Sequence, residues 1–361
     1  MSKTATRFPI TLANTFLCLL LLAGAGCRSI GPGTVKRDRL HYSSAVGDSC
    51  KEQLLLNIVK TRYGDSPAFL QVSSLVAGYT LETGLGASGQ YSPASLRGDT
   101  FMGGEISGKF TDRPTISYMP LTGEKFTRTL MSPVPLEFLW SVIQGGAPVD
   151  FLLGLTLQSM EGHNNMGIFA GQFFPMDSEF AQLLQLLGIL QRAHATDSRL
   201  IESHDDTEIW FQFRSADSTR TNLAPELAQL KQLLGVPRET NQVKVVFDRF
   251  SHEPGVVGMR TRSLMQILST LGAGVQIPPE DLAGGGVVRV DGAQFAHTFT
   301  VHSGKEKPKQ PFVSVPYRGH WFWIEETDLP TKTTLAAVAI LFNFLEAGGA
   351  KDAPVLTIPT N

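Results

Sequence analysis

The fold is decided by residues 77–91, which read AGYTLETGLGASGQY, with mostly apolar side chains at odd positions and small or polar ones at even positions. This period of two residues is typical of a β-strand, and the strand it predicts is far longer than the usual five or six residues or so. After a polar loop, a second alternating stretch at residues 101–111 reads FMGGEISGKFT. The sequence therefore predicts a long antiparallel hairpin over residues 76–118.

Helices are predicted on both sides of this hairpin. The first begins at a capping box formed by Ser49 and Glu52 and ends near Gly64. Two short helices, at 123–131 and 136–144, are separated by prolines. A continuous apolar run at 150–160 predicts a buried strand, and an amphipathic helix follows at 178–195.

The second half of the chain alternates predicted strands and helices. The strands lie near 208–214, 243–249, 287–290, 297–302, 311–315 and 320–324, and the helices near 224–234, 262–271 and 332–347. The last helix is apolar on nearly all sides, which predicts that it is buried. The predicted fold class is therefore α+β, with the long antiparallel hairpin and helices in the first half and a mixed α+β second half.

The chain has 361 residues, which exceeds the usual size of one domain and favours two. We expect a domain built from a helix, the antiparallel hairpin and further helices over 48–200, and an α+β domain over 201–361. The boundary is placed in the polar stretch 196–206. Residues 27–47 are rich in glycine and charge with little to bury, and we expect a flexible tether there.

The first 26 residues have the layout of a secretory signal peptide. Lys3 and Arg7 precede a short apolar run from Phe16 that ends in small residues and Cys27. A membrane-spanning helix needs about 20 apolar residues, so this run is too short to be the anchor itself. The C-terminal end of this run, which reads GAGC at residues 24–27, resembles the lipobox of bacterial lipoproteins. That resemblance implies cleavage before Cys27 and attachment of lipid, palmitate included, to this residue.

The residue after the cysteine bears on the location. It is Arg28 rather than aspartate, and by the resemblance to Gram-negative lipoproteins this implies the cell outer membrane, with the protein facing the periplasm. A second interpretation stays open, because residues 23–25 also suit an ordinary signal peptidase. Cleavage there would release a soluble secreted or periplasmic protein.

A longer resemblance begins in the first helix. Residues 52–67 read EQLLLNIVKTRYGDSP and resemble the opening of a family of bacterial outer-envelope lipoproteins. Three later stretches, 113–123, 260–265 and 317–324, are similar to the same family. The resemblance covers most of the chain after Cys27. It implies an envelope location and brings no assigned chemistry, cofactor or substrate with it.

Composition limits the partners. The chain carries 31 basic and 33 acidic residues without a basic run, so nucleic acid is not an expected partner. Of the three cysteines, Cys18 leaves with the signal peptide and Cys27 takes the lipid. Only Cys50 remains, so no internal disulfide is expected.

Three stretches carry letters that suggest chemistry, and each has a plainer explanation. Residues 84–89 match the dinucleotide fingerprint, but that motif needs a helix directly after it, and these glycines continue the strand alternation. Cys50 is expected to be a small packed residue rather than a nucleophile. Residues 204–206, His-Asp-Asp, have no second ligand pair at metal-site spacing. We therefore predict no catalytic, cofactor-binding or metal-binding residue, and lipidation of Cys27 is the one predicted site.

An aromatic strand near the C-terminus is predicted to lie in the core. Trp321 and Trp323 share one face, while Phe322 and Ile324 share the other. Apolar residues on both faces are typical of a central strand. The charged residues around it form either a polar site or ordinary surface: Arg318, Glu325, Glu326, Asp328 and Lys332.

These observations favour a non-catalytic, lipid-anchored cell-envelope protein with a binding or assembly role. It would be held to the membrane by the lipid on Cys27 and would associate with other envelope proteins or with itself. A second interpretation is a subunit of an oligomeric outer-membrane export channel that contributes the hairpin 76–118, because a membrane-spanning strand needs about 9–11 alternating residues. A third is an envelope hydrolase whose site is built from residues distant in sequence.

Overall fold

The computed structural model of the chain describes residues 30–76, 79–90, 101–112, 115–169, 171–202, 207–214, 223–251, 253–290 and 299–347. Its helices and mixed sheets confirm the predicted α+β class. The chain divides into two units between Cys50 and Lys51.

The bounds of the elements are as follows. The helices are α1 (Ile30–Arg62), α2 (Gly123–Phe126), which continues as a π-helical turn over Thr127–Met131, α3 (Leu136–Gln144), α4 (Val149–Thr156), α5 (Ser178–Arg192), α6 (Ala224–Leu233), α7 (Leu264–Leu271), α8 (Pro279–Gly284) and α9 (Leu329–Ala347). The strands are β1 (Leu70–Val76), β2 (Tyr79–Gln90), β3 (Phe101–Asp112), β4 (Thr115–Pro120), β5 (Leu157–Met160), β6 (His163–Asn164), β7 (Gly167–Phe169), β8 (Gln172–Phe174), β9 (Thr196–Glu202), β10 (Thr207–Phe213), β11 (Gln242–Val246), β12 (Val256–Thr261), β13 (His302–Gly304), β14 (Val313–Tyr317) and β15 (His320–Ile324).

Helix α1 is longer than the sequence predicts. The prediction that it begins after Ser49 was wrong, because it begins at Ile30, and residues 30–47, for which a flexible tether is predicted, are helical. Most side chains from Val35 to Cys50 are exposed. This part therefore lacks the apolar period by which a helix is found in a sequence.

The buried part of α1 lies within the second unit. Leu55, Ile58 and Val59 are fully buried at the spacing of one helix face. The helix ends before Gly64, which has a positive φ of 71°, as a glycine after a helix commonly does.

A six-stranded sheet is the largest in the structure, with the order β6-β5-β12-β11-β10-β9. Its neighbours are antiparallel except β11 and β12, which are parallel. Helix α3 packs on β9 and β10, where Trp140 meets Phe211 with ring centroids 5.5 Å apart. The sheet takes strands from both sides of residue 200, since β5 and β6 lie well before it and β10 to β12 lie after it.

One sequence prediction fails in this sheet. The stretch 150–160, predicted as one buried strand, forms helix α4 up to Thr156 and then strand β5. A short apolar run suits a buried helix and a buried strand equally well, so periodicity could not separate the two. The described part of the polar stretch 196–206 is strand β9, whose side chains alternate between exposed and partly buried positions at the sheet edge.

A three-stranded sheet has the order β13-β15-β14 and places the aromatic strand, β15, at its centre. Phe322 and Ile324 are fully buried, as predicted, while Trp321 and Trp323 are half-buried. Residues 287–290, predicted as a strand, form none.

Helix α9 buries one side only. Leu335, Val338 and Leu341 are buried, whereas Leu329 and Ile340 are more than 60% exposed. The prediction that this helix is buried therefore holds for one side only. An apolar composition alone did not reveal which side faces the core.

Candidate functional site

The predicted hairpin is part of a longer two-stranded ribbon, which we call the ribbon and define as β1, β2, β3 and β4. Strand β1 pairs with β4 and β2 pairs with β3, both antiparallel. The register that pairs Ser74 with Ser117 continues into the pair of Tyr79 and Asp112. At about 3.3 Å per residue, a strand of the length of β2 or β3 reaches about 40 Å. Among the described strands, none pairs with the outer edges of the ribbon.

A β-bulge at Ser73 gathers apolar side chains of β1 and β4 on one face. Val72 pairs with Tyr118, whereas Ser74 already pairs with the residue directly before Tyr118. Neighbouring residues of a strand point to opposite faces, and the extra residue of a bulge shifts that alternation by one. Leu75 therefore shares a face with Val72 although it lies three positions further on. We call this surface the apolar face, and it consists of Leu70, Val72, Leu75, Ile116, Tyr118 and Pro120.

The apolar face is open to solvent. Leu70 is 52% exposed and Tyr118 58%, while Ile116 and Val72 are each more than one-third exposed. Groups of exposed apolar side chains on one surface are typical of interaction sites. A two-stranded ribbon is also only marginally stable by itself in water. The ribbon therefore has both the surface and the open edges that favour a partner.

Two amide side chains of α1 fix the start of the ribbon. Asn57 accepts a hydrogen bond from the backbone N–H of Ala68 and donates one to its carbonyl oxygen, both at 2.9 Å. Gln53, one helical turn earlier, makes the same two bonds with Leu70, both at 3.2 Å. The side chains of Asn57 and Gln53 thus bond to the backbone of two alternate residues, as a neighbouring β-strand would. Asn57 is fully buried, so the chain is held firmly where β1 begins.

The residue between these two anchored positions completes the base of the ribbon. Phe69 is buried and stacks on Phe342 of α9, with ring centroids 4.9 Å apart. Its carbonyl oxygen accepts a hydrogen bond from the N–H of Leu121 at 2.9 Å, directly after β4. Both strands of the ribbon are therefore tied to the core at the same point.

A cluster of tyrosines and carboxylates joins the end of α1 to the turn between β14 and β15. Tyr63 donates a hydrogen bond to Oδ2 of Asp281 at 2.7 Å, and Tyr317 donates one to Asp65. Arg318 donates to the same Asp65 carboxylate at 3.1 Å and lies over both tyrosine rings, 5.1 and 5.7 Å from their centroids. Residues of two stretches singled out in the sequence, 52–67 and 317–324, meet in this cluster.

The hydrogen bonds within this cluster change the pKa values of its ionisable groups. The hydrogen bond from Tyr317, followed by that from Arg318, lowers the pKa of Asp65. Burial, followed by the hydrogen bond to Asp281, raises the pKa of Tyr63. Each acidic oxygen named here already accepts a hydrogen bond from a neighbour in the cluster. We interpret the cluster as a structural connection between α1 and the hairpin turn.

The structure places the residues singled out in the sequence as follows. Cys27 and residues 204–206 lie outside the described part of the chain, so lipidation of Cys27 stays a prediction. Residues 84–89 lie within β2 and pair with β3. Cys50 lies inside α1 with an exposed side chain, so the expectation that it packs beneath a helix start was wrong.

The charged residues around the aromatic strand do not form one site. Arg318 belongs to the tyrosine cluster, whereas Lys332 forms an ion pair with Glu326 at 2.6 Å. Glu325 accepts a hydrogen bond from the indole N–H of Trp323 at 2.7 Å. These are local contacts, so these charged residues form ordinary surface rather than a polar site.

Sequence patterns alone did not reveal the apolar face or the amide anchors. The signal for the anchors was present, because Gln53 and Asn57 are four residues apart among leucines and isoleucine on a buried helix face. A polar residue at such a position is retained only where it has hydrogen-bond partners. The bulge at Ser73 gave no comparable signal, since Ser73 and Ser74 read simply as polar residues in a strand.

The chain matches no protein-family model, no curated protein and no solved structure. Within the described residues, His, Cys, Asp and Glu side chains do not gather in groups of three that could hold a metal ion. Of the helices that the structure describes, none combines the length and the apolar character needed to cross a membrane.

Proposed function

We propose that this chain is a non-catalytic, lipid-anchored assembly protein of the bacterial envelope that associates with a second copy of itself through the apolar face. The observation that carries this proposal is the solvent-open apolar face at the base of a ribbon whose outer edges pair with no other described strand. Open strand edges of identical chains are templates for pairing with each other.

The size of the apolar face sets the strength of this association. Full burial of a Leu, Val or Ile side chain stabilises by about 1.5–3 kcal/mol. Leu70 exposes 52% and Ile116 39% of its surface, so covering either one contributes about 1 kcal/mol. Six such residues in each of two copies sum to roughly 10 kcal/mol, against an association cost of about 4–15 kcal/mol. The contact is therefore weak by itself and gives a concentration-dependent dimer in solution, which edge hydrogen bonds and confinement to one membrane strengthen.

The membrane anchor in this proposal is the lipid on Cys27. Its support is the lipobox-like sequence at residues 24–27 and the resemblance to outer-envelope lipoproteins. Two or more acyl chains give stable anchoring, because each buried methylene contributes about 0.8 kcal/mol. Confinement to one membrane raises the effective concentration of each copy for the next, and this strengthens a weak contact without adding a new one.

The proposal assigns no catalysis to the polar clusters. Asp65 accepts hydrogen bonds from Tyr317 and Arg318, and Asp281 accepts one from Tyr63. We interpret these contacts as structural links between the end of α1, helix α8 and the turn between β14 and β15.

The experiment is sedimentation velocity over a range of concentrations, with Cys27→Ser in every sample so that the lipid does not drive association. We expect a concentration-dependent dimer for this parent protein. Tyr118→Lys places a charge on the apolar face and is expected to weaken the association at least tenfold. Ser117→Lys is the matched control, because Ser117 is also exposed on β4 but lies on the opposite face.

Two outcomes would contradict the proposal. One is a parent protein that stays monomeric at every concentration. The other is equal weakening by the two lysine substitutions, which would mean that the added charge, rather than its face, matters. Circular dichroism of each variant separates a lost interface from a lost fold.

A second candidate function is a subunit of an oligomeric outer-membrane export channel. It is favoured by the length of β2 and β3, which are 12 residues each, against the 9–11 or so that a membrane-spanning strand needs. In the Cys27→Ser protein, washing membranes with alkaline carbonate and then urea decides between the two candidates. Release as a soluble species favours the lipid as the only anchor, whereas retention as a large detergent-stable assembly favours the channel.

A further inference from the structure

A buried arginine, Arg262, lies between two cavities and has hydrogen-bonding capacity to spare. It follows β12 directly and precedes the N-cap of α7, and its side chain is 97% buried, with a residue exposure of 3%. One terminal nitrogen donates to the carbonyl oxygens of Leu155 at 3.0 Å and Gly154 at 3.4 Å, and the other donates to the carbonyl oxygen of Met166. Its Nε–H and one further N–H make no hydrogen bond to the described residues.

The contacts of Arg262 explain its position but leave its charge without a counter-ion. Gly154 and Leu155 lie in the last turn of α4, where carbonyl oxygens lack partners and cations are favoured. Carbonyl groups are neutral, however, and no carboxylate of the described residues forms an ion pair with Arg262. Burial lowers the pKa of Arg262 to about 9, so the guanidinium remains charged at neutral pH. A buried charge without a counter-ion is costly, and a bound anion would offset that cost.

The larger of the two cavities has a mixed polar and apolar lining and a volume of about 460 Å³. Arg249 and Arg262 both line it, and so does one carboxylate, that of Asp177. The Asp177 carboxylate is already engaged, because it accepts hydrogen bonds from the backbone and side-chain nitrogens of Asn164 at 2.6 and 3.1 Å. The positive charges of this cavity therefore outnumber the negative one, and the cavity favours an anion.

The smaller cavity is mainly apolar and has a volume of about 180 Å³. Its lining is dominated by apolar side chains: Phe151, Leu155, Met176, Leu184, Ile267 and Phe299. Asp150 also lines it but is paired with Arg192 at 3.1 Å. Arg262, Met166 and Thr270 line both cavities. A cation is thus placed at the wall between a larger cavity of mixed lining and a smaller, mainly apolar one.

The geometry points to a binding site for a small amphiphilic anion, a short acyl chain that ends in a carboxylate. The carboxylate would accept the two spare N–H groups of Arg262 side by side, which is the arrangement in which guanidinium and carboxylate pair most strongly. The acyl chain would occupy the smaller cavity among Met176, Leu184 and Phe299. Apolar walls with a few convergent polar groups are the general character of small-molecule sites.

The probe for this site is a diazirine analogue of octanoate, photocrosslinked to the full chain in lipid nanodiscs and quantified by intact mass. We expect saturable labelling on peptides that line the smaller cavity. Octanoate should compete at least tenfold better than octanol, which has the chain without the charge, and than acetate, which has the charge without the chain.

Variants separate the two parts of the site. Arg262→Gln removes the charge and is expected to reduce labelling at least tenfold, while Arg262→Lys is expected to retain part of it. Met176→Trp fills the smaller cavity and leaves Arg262 in place, so it tests the site even if Arg262→Gln fails to fold. Arg214→Gln is the matched control, because Arg214 is an exposed arginine paired with Asp197 away from both cavities.

Each result supports or overturns the inference. Labelling that octanoate and octanol compete for equally would overturn it, as would undiminished labelling of folded Arg262→Gln or of Met176→Trp. Absence of saturable labelling of the parent protein would also overturn it. Stronger competition by an apolar peptide with a free C-terminal carboxylate than by octanoate would overturn the assignment to acyl chains.

Discussion

The amide anchor at the base of the ribbon allows the sharpest test of the fold. Asn57→Ala removes two hydrogen bonds of 2.9 Å to the backbone of Ala68. Each such bond contributes a net 0.5–1.5 kcal/mol or so, and Asn57 is fully buried. The backbone of Ala68 is partly accessible to water, which can replace part of the loss. We therefore expect the free energy of unfolding to fall by about 2 kcal/mol.

Gln53→Ala is the matched comparison, because Gln53 makes the same two bonds to Leu70. These bonds are longer, at 3.2 Å, and lie at the solvent-exposed edge. We expect this substitution to lower the free energy of unfolding by about 1 kcal/mol or less. Urea unfolding followed by tryptophan fluorescence gives both values from the shift of the midpoint at constant slope.

A third variant adds a pH signature to this test. Asn57→Asp keeps the acceptor for the Ala68 N–H but places a carboxylate opposite the Ala68 carbonyl oxygen. Protonation restores a donor there, so this variant should recover stability as the pH falls below about 5, whereas Asn57→Ala should not. The reasoning is refuted if Asn57→Ala costs less than Gln53→Ala, or if Asn57→Asp shows no recovery in acid.

Three further perturbations test local features, each against its own reference. Gly258→Ala should lower the free energy of unfolding by about 1–3 kcal/mol, because the added carbon would lie 2.8 Å from the Cα atom of Phe250, while Gly284→Ala, which meets nothing within 4 Å, should cost far less. Asp65→Asn should flatten the loss of stability in acid: its folded pKa is lowered, so its contribution is complete above about pH 4 and is lost as the pH falls further. Ser263→Ala removes the capping box of α7 and should cost about 1 kcal/mol in the same urea assay, with an unchanged slope.

The long hairpin could be found in the sequence because its alternation is strict over many residues. Strands β2 and β3 follow the period of two that residues 77–91 and 101–111 display. Helices α3 and α5 were found for the same reason, since their apolar residues recur at helical spacing and their starts are marked by proline and by Asp177.

The failures have physical causes of their own. The N-terminal half of α1 buries little, so it leaves no apolar period to read. Residues 150–156 are mostly apolar without a distinguishing period, so the sequence does not show where α4 ends and β5 begins. The polar strand β9 is stabilised by its pairing with β10, a contact that its own residues do not announce.

The candidate functional surfaces were harder to predict from the sequence than the helices and strands. The apolar face depends on a one-residue bulge at Ser73, and no local composition reveals where a register shifts. Arg262 was noted as part of a family-like stretch, but its burial between two cavities follows only from how β12, α4 and α7 meet. Pairing of distant residues, rather than any motif, creates both features.

The most direct test of self-association through the apolar face is crosslinking in membranes. A single cysteine is placed on the ribbon by Tyr118→Cys or, on the opposite face, by Ser117→Cys, each in a Cys50→Ser background, and membranes are treated with a short bis-maleimide. We expect a crosslinked dimer with cysteine at position 118 and little or none with cysteine at position 117. Equal crosslinking at both positions, or none at either, would contradict it.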